Sequence, residues 1–450
     1  MKNARLLFVG VIGAVLAFSP LSGALGAERG PSQTDLALIN GIIQLVQREY
    51  VHKVGAHELT VDALKGMMAR LDPHSDYMDE QEFKESQANI SGKFGGLGIE
   101  ITELHGVPKI ISPIDGTPAA KAGLEPGDLI VAIDGKPTNG IGLNKIVRTL
   151  RGTPGSKVTI TILRGTKKHL DVTITRAIIS VQTVKSKLEP NNIGYVRITE
   201  FGGTTPGDFK KAIEIMQKKA GGHLNGVVLD LRNDPGGLLT AAVAVAGNFI
   251  DGGTVVSIHG RRKDDDESYK AAKGSMIVPK NTPVVVLVNG AAASASEIVA
   301  GALQDTKRAT IMGTQSFGKG SVQTIIPLDG HGALRLTTAL YYTPSGRSIQ
   351  GRGITPDVVV DADKDVQVAG VLPRESTLHG AFHNPGSLVN GKVAPKDIAK
   401  QTAKPDLSPP IKPQFIATDK DNQLKAALAF LDKKIGGATT ADGASTPTKD

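Results

Sequence analysis

A serine and a lysine in one stretch of this chain have the types and spacing of a hydrolytic pair. From Asn289 the sequence reads N-G-A-A-A-S-A-S-E-I-V-A-G-A-L-Q-D, and from Gly313 to Gln323 it reads G-T-Q-S-F-G-K-G-S-V-Q. The apolar run 284–288 predicts a buried strand, and Ile298, Val299, Ala302 and Leu303 predict a helix over 297–305. Strand, small-residue turn and helix would lift Ser294 to a helix N-terminus, where unpaired N–H groups favour an anion. A serine hydroxyl attacks a carbonyl only when a base takes its proton. His259 and His331 stand in loop-like contexts, whereas Lys319 sits on a glycine-flanked segment further along, with Gln323 four positions beyond. Lys319 must be neutral to act as the base, which requires desolvation to lower its pKa by several units from ~10.4. Gln323 could hold the amine by hydrogen bonding without adding charge. The N–H of Ala295 is a candidate donor to the oxyanion. On residue type alone Ser296 and Ser321 rival Ser294.

Residues 179–361 alternate strand-like and helix-like runs: 193–198, 209–219, 227–231, 238–250, 284–288 and 297–303. This order predicts an α/β core with partly parallel pairing. Residues 34–90 read as helical, with Leu36, Ile39, Ile43, Val46 and Tyr50 on one face. Pro73 breaks that pattern in Leu71-Asp72-Pro73-His74-Ser75, where His74 reads as a capping or packing residue. Asp79 followed by Glu82 marks a new helix start. Residues 94–177 change to short β-type runs with glycine and proline punctuation, including the hairpin signal Asp134-Gly135. Beyond Asp361 the periodicity fades, so 362–413 reads as a mobile linker. A last helix is expected within 414–436, over 423–431, followed by a disordered tail, 437–450. The fold class is α/β multidomain, with a smaller β-rich domain inserted before the core.

Composition narrows the function. The 450 residues contain no Cys and no Trp, which excludes disulfides, thiolate nucleophiles and cysteine-held metals. Lys2 and Arg5 precede an apolar run, 6–18, then small residues through Ala27, the order of a secretory signal peptide. Cleavage is expected after Gly26 or Ala27; a retained leader would be an N-terminal anchor. Export to the periplasm or cell envelope follows. The formal charge of +8 is scattered rather than striped, and stacking aromatics are scarce, so nucleic acid is not an expected partner. Residues 313–319 also match a phosphate-binding G-x-x-x-x-G-K, but Gly320 occupies the place of the magnesium-binding hydroxyl.

Two resemblances sharpen this reading. Gly95-Gly96-Leu97-Gly98-Ile99, then T-P-A-A-K-A-G-L-E-P-G-D-L-I from Thr117, resembles a PDZ domain, with Thr117 in place of the usual serine. It implies a carboxylate-binding loop at Gly96, Leu97, Gly98 and Ile99, beside a strand edge that can pair with a peptide. Residues 289–305 and 313–323 resemble the C-terminal processing peptidases, peptidase family S41. Agreement extends to L-D-P-H-S at 71–75, D-L-R-N-D-P-G-G at 230–237, Y-T-P-S-G-R at 342–347 and G-R-G-I-T-P-D at 351–357. Ala291, Ala292 and Ser316 depart from the usual residues. The resemblance implies Ser294 as nucleophile, Lys319 and Gln323 as its partners, and a further oxyanion donor from Gly236 or Gly237. It also implies substrates with unstructured C-terminal tails, envelope targets, and no metal or nucleotide cofactor. An adaptor protein and a homo-oligomer are further candidate partners. The competing reading is a non-catalytic PDZ binding protein or chaperone on a protease scaffold.

Overall fold

The computed structural model describes residues 30–394 and 409–441, apart from 105, 115, 166–167, 181, 369–372 and 390–391. The expected signal peptide lies outside them. The chain divides into two compact units, residues 1–63 and 64–450. In the first, α1 (Gln33–Glu49) starts at a capping box in which Ser32 and Asp35 hydrogen-bond each other reciprocally. Leu36, Leu38, Ile39, Ile42 and Leu45 are exposed, and no residue of α1 is buried. α2 (Ala56–Ala69) follows.

In the second unit, α3 (Glu80–Ser91) begins at Asp79, whose side chain accepts the Glu82 N–H at 2.8 Å. The chain then enters and leaves the β-rich domain through one two-stranded ribbon, Lys93–Gly96 paired with Ala177–Ser180. Between them lies an antiparallel sheet in the order Ile99–Leu104, Val107–Pro113, Leu129–Ile133, Lys157–Arg164, Lys168–Thr175. Period-two alternation turns Val158, Ile160 and Ile162 inward. They pack with Leu97, Ile110, Ile130 and with Ile146 of α5 (Leu143–Leu150); α4 (Pro118–Lys121) adds Ala119. Asp134 and Gly135 take the two positive φ angles of a tight hairpin, 48° and 74°.

The core is a six-stranded sheet ordered Val184–Glu189, Ile193–Ile198, Gly226–Asp230, Val284–Val288, Thr310–Gly313, Val358–Val359. Its first pair is antiparallel and the rest are parallel. Every residue of Gly226–Asp230 and Val284–Val288 is buried, as expected of parallel strands covered on both faces. α6 (Thr205–Lys219), α7 (Leu239–Ala246) and α8 (Ala295–Asp305) cover one face through Phe209, Ile213, Val245 and Val299. α9 (Asn422–Ala441) covers the other through Leu424, Ala427 and Leu431, against Tyr195, Val285 and Leu287. A second, antiparallel sheet joins Asp76–Met78, Thr254–Gly260, Glu267–Lys270 and Ser321–Pro327 around Ala333–Tyr342.

Two expectations change. Of the expected linker 362–413, residues 369–372, 390–391 and 395–408 lie outside the described ones, and the rest is not simply a linker: Ala362, Val366, Arg374, Glu375, Asn384 and Ile411 are all buried. Irregular backbone with buried polar side chains carries no periodicity, so sequence pattern misses it. The last helix also runs from Asn422 to Ala441, into the stretch expected as a tail.

Candidate active site

Two adjacent parallel strands build the site at their C-terminal ends, the usual location in α/β sheets. Gly226–Asp230 runs into the turn 231–238 and then α7; Val284–Val288 runs into 289–294 and then α8. The side chains of Asn233 and Asn289 tie the turns together, at 3.0 Å from Asn233 N to Asn289 Oδ1 and 2.7 Å from Asn289 Nδ2 to Asn233 Oδ1. Beneath them Arg232 is fully buried, donating to Asp230 at 2.6 and 2.9 Å and to Asp421 at 2.7 Å with both terminal nitrogens. Burial would raise the Asp230 pKa, but the Arg232 guanidinium holds it below its ordinary value. This network fastens the glycine turn to the residue just before α9.

Ser294 caps α8 with φ 56° and ψ −114°, a left-handed backbone that a residue with a Cβ adopts only when its surroundings enforce it. Its N–H donates to Glu297 Oε2 at 2.8 Å, and the preceding Ala293 N–H donates to Asp234 O at 2.9 Å. The rivals are otherwise engaged. Ser296 is buried, its hydroxyl donating to Asp234 O at 3.1 Å, and buried Ser321 accepts the Gln323 amide at 3.0 Å. Among the described residues the Tyr341 hydroxyl has no hydrogen-bond partner, and Tyr341 lines the same cavity as Ser294. Burial, then the Glu297 charge, push the Tyr341 pKa far up, so the phenol stays neutral.

Glu297 joins the serine to the lysine. Its fully buried carboxylate accepts four donors: Ser316 Oγ at 2.5 Å, Gly318 N at 2.7 Å, Ser294 N at 2.8 Å and Lys319 N at 2.9 Å. Burial pushes its pKa up to about 7, against the pull of those donors. In the sequence Glu297 stands only as the first residue of the helix expected over 297–305. Lys319 is partly buried, and burial lowers its pKa below the ordinary lysine value. Glu375 acts against that shift and Arg335 with it; Glu297 and Asp72 oppose it further. The direction is the one a general base needs.

Gln323 is at the site, but its amide nitrogen reaches Ser321 Oγ at 3.0 Å and Thr337 Oγ1 at 3.2 Å, rather than the Lys319 amine as expected. The ladder slips between Val322 and Gln323, setting Gln323 opposite Thr337. A bulge breaks the simple alternation that would align positions four apart. Thr337 in turn donates to Asp72 at 3.0 Å, and Asp72 accepts the N–H of His74 and the hydroxyl of Ser75. The L-D-P-H-S turn is thereby anchored behind Gln323, with Asp72 as its cap. The His74 ring packs elsewhere, 2.8 Å from Glu375.

The two glycines differ. A Cβ on Gly236 would come within 2.6 Å of Ala293 O and 2.8 Å of the Ser294 Cβ; its N–H is taken by Asp234 Oδ1 at 2.8 Å. Gly237, at φ 140°, is pressed against Phe201, whose N–H donates to Gly236 O at 2.8 Å and whose carbonyl accepts the Leu238 N–H at 2.7 Å. Among the described residues the Gly237 and Ala295 N–H groups have no acceptor. Ser294, Lys319, Gln323, Gly237 and Tyr341 line one cavity of about 490 Å³. Leu238, Ile298, Val322 and Ile325 give it an apolar wall. A second cavity, about 410 Å³, lies at the opposite strand ends near Val284 and Thr310, among Lys280, Lys307 and Lys434, away from these residues.

In the β-rich domain, Gly96 lies in the entry ribbon and Leu97 is buried. Gly98 has φ 80°, and its carbonyl accepts Ile114 N at 2.8 Å and Thr117 Oγ1 at 3.1 Å. Ile99 opens strand Ile99–Leu104 at the edge of the sheet, where among the described residues no strand pairs with its other side. Thr117 therefore supports the loop through its hydroxyl.

The chain matches the model of peptidase family S41 over residues 192–360, a PDZ domain model over 109–164, and the activating protease CtpB N-terminal domain over 24–82. It is 50% identical over 349 residues to a carboxy-terminal-processing protease of Bartonella bacilliformis, covering 77% of this chain and 80% of that one. It is 33% identical over 449 residues to the carboxy-terminal processing protease CtpA of Bacillus subtilis, covering 98% and 94%. A solved photosystem II D1 C-terminal processing protease shares 31% identity, covering 72% of this chain and 92% of that one at a TM-score of 0.42. An α/β multidomain peptidase carrying a PDZ domain, this chain belongs to the carboxy-terminal processing proteases of peptidase family S41.

Proposed function

We propose that Ser294 is the nucleophile and Lys319 its general base, and that the enzyme cleaves proteins whose unstructured C-terminal tails are captured by the PDZ domain. One observation carries this reading: Ser294 and Lys319 line a single cavity with the amine's pKa lowered by burial. Lys319 Nζ takes the Ser294 hydroxyl proton as Oγ attacks the scissile carbonyl carbon. The resulting oxyanion meets the N–H groups of Ala295, at the start of α8, and Gly237. Gly236 is the hinge of that turn rather than its donor. Lys319 then gives the proton to the departing amine, and a water deprotonated by Lys319 releases the acyl group. Gln323 orders the strand beside the lysine through Ser321 and Thr337. Gly96, Leu97, Gly98 and Ile99 receive the terminal carboxylate, and the free edge of Ile99–Leu104 pairs with the tail.

The charged, apolar, small-residue order of residues 1–27 supports export by a signal peptide and substrates in the periplasm or cell envelope. The exposed apolar face of α1 supports self-association or docking of an adaptor. Incubation with a protein ending in a flexible tail, followed by intact-mass measurement, tests the reading. Loss of mass from the tail by wild type but not by Ser294→Ala is expected. A wild type that binds the tail without cutting it, with or without candidate adaptors, would instead favour the binding protein.

A further inference from the structure

Residues 373–386 lie beyond the span matched to the peptidase family, yet their contacts converge on the turn that carries Lys319. Glu375 is fully buried. One of its oxygens lies 2.8 Å from His74 Nε2, and the other accepts Gln350 Nε2 at 2.8 Å. Gln350 accepts the N–H of Gly320, next to Lys319, at 2.9 Å. The Glu375 N–H donates to Phe317 O at 3.3 Å, and the Arg374 guanidinium donates to the Ser316 carbonyl and to Gln315 Oε1. Asn384 holds Gln350 from behind, donating to its carbonyl at 2.7 Å.

A buried carboxylate is costly unless cations or donors surround it. Glu375, Arg335, Glu297 and Asp72 all act on the Lys319 amine, and of these charges Glu375 acts most strongly. Glu297 and Asp72 are spent on other donors: Glu297 on its four, Asp72 on the 74–75 turn and Thr337. Glu375 faces His74 directly, with Arg374 beside it in the chain.

We propose that Glu375 is a positioning residue of the peptidase site: held by His74 and Gln350, it fastens segment 373–386 across the Lys319 turn and sets a buried negative charge beside that turn. This rests on Lys319 being the base. Removing the negative charge favours the neutral amine, so the amine loses its proton at lower pH. Glu375→Gln keeps the shape and the capacity for hydrogen bonds. Its acidic limb of kcat/KM on a tailed substrate is expected to move to lower pH by about one unit. Glu375→Asp, with the charge one methylene further away, moves it the same way by less. The pH dependence of Lys319 acetylation, read by peptide mass spectrometry, should shift in parallel without requiring turnover. Thermal unfolding shows whether each variant folds; if Glu375→Gln does not, the Glu375→Asp limb decides. Lower kcat at every pH with the limb and acetylation profile unmoved overturns the proposal, as does movement to higher pH. Cleavage surviving in Lys319→Ala would instead overturn the base assignment on which it stands.

Discussion

Two glycine turns, one proposed to hold an oxyanion and the other proposed to receive a terminal carboxylate, are built differently. The turn at Gly236 and Gly237 is enclosed: Gly236 abuts Ser294, Gly237 abuts Phe201, and Glu297 and Asp234 hold the neighbouring backbone. The proposed carboxylate loop is tied by Ile114, Thr117 and Ala119, whose N–H or hydroxyl groups donate to the Gly98 and Leu97 carbonyls, and it continues into a strand at the edge of its sheet. A transition-state charge lasts only through the reaction, so its donors must already be in place. A terminal carboxylate is a ground-state ligand, which a loop and a free edge can receive from solution. Damage to the first turn should therefore appear in kcat, and damage to the second in KM.

The largest effect is expected from Gly237→Ala. Its Cβ falls on Phe201 at φ 140°, displacing the donor and lowering kcat by about 100- to 1,000-fold, with KM for the tailed substrate little changed. A fall in kcat/KM arising wholly from KM would break the contrast. Gly98→Ala is the converse: its Cβ meets Thr117 at φ 80°. KM for a tailed substrate should rise about tenfold, or about 1.4 kcal/mol, while kcat is kept and a substrate amidated at its C-terminus is unaffected. Initial-rate kinetics on the paired substrates checks both.

A smaller effect concerns the clamp between the serine and the lysine. The Glu297 pKa is raised in the fold from 4.5 to about 7, so between those values the native state binds a proton that the unfolded chain has released. Stability contributed by this group is thus greatest below about 4.5 and declines as pH rises to about 7. Glu297→Gln should flatten that part of a Tm-against-pH curve, whereas an unchanged slope would contradict the raised pKa. Smallest is Gln323→Ala, expected to lower kcat less than about tenfold, because the amide touches Ser321 and Thr337 rather than the lysine. Loss comparable to that of Gly237→Ala would return Gln323 to direct contact with the amine.

Legibility in the sequence followed regularity. Val284–Val288 was readable because both its faces are buried, and the small residues after it announced the Ser294 turn. α9 was visible from its apolar positions, though its C-terminal extension was not. Nothing local showed that Glu297 reaches across to Gly318 and Lys319, since its partners are neighbours only after folding. The bulge at Val322 and Gln323 is set by pairing with Ala333–Tyr342, so spacing along one strand could not reveal it. Glu375 and Arg374 were lost in a segment without period, where specific hydrogen bonds rather than an amphipathic face fix the chain.

The most direct test of the central claim is single-turnover cleavage of a tailed substrate by Lys319→Ala across pH, with Ser294→Ala beside it. Both variants should keep binding the tail and lose cleavage at every pH. Cleavage by Lys319→Ala at the wild-type rate would contradict a lysine base.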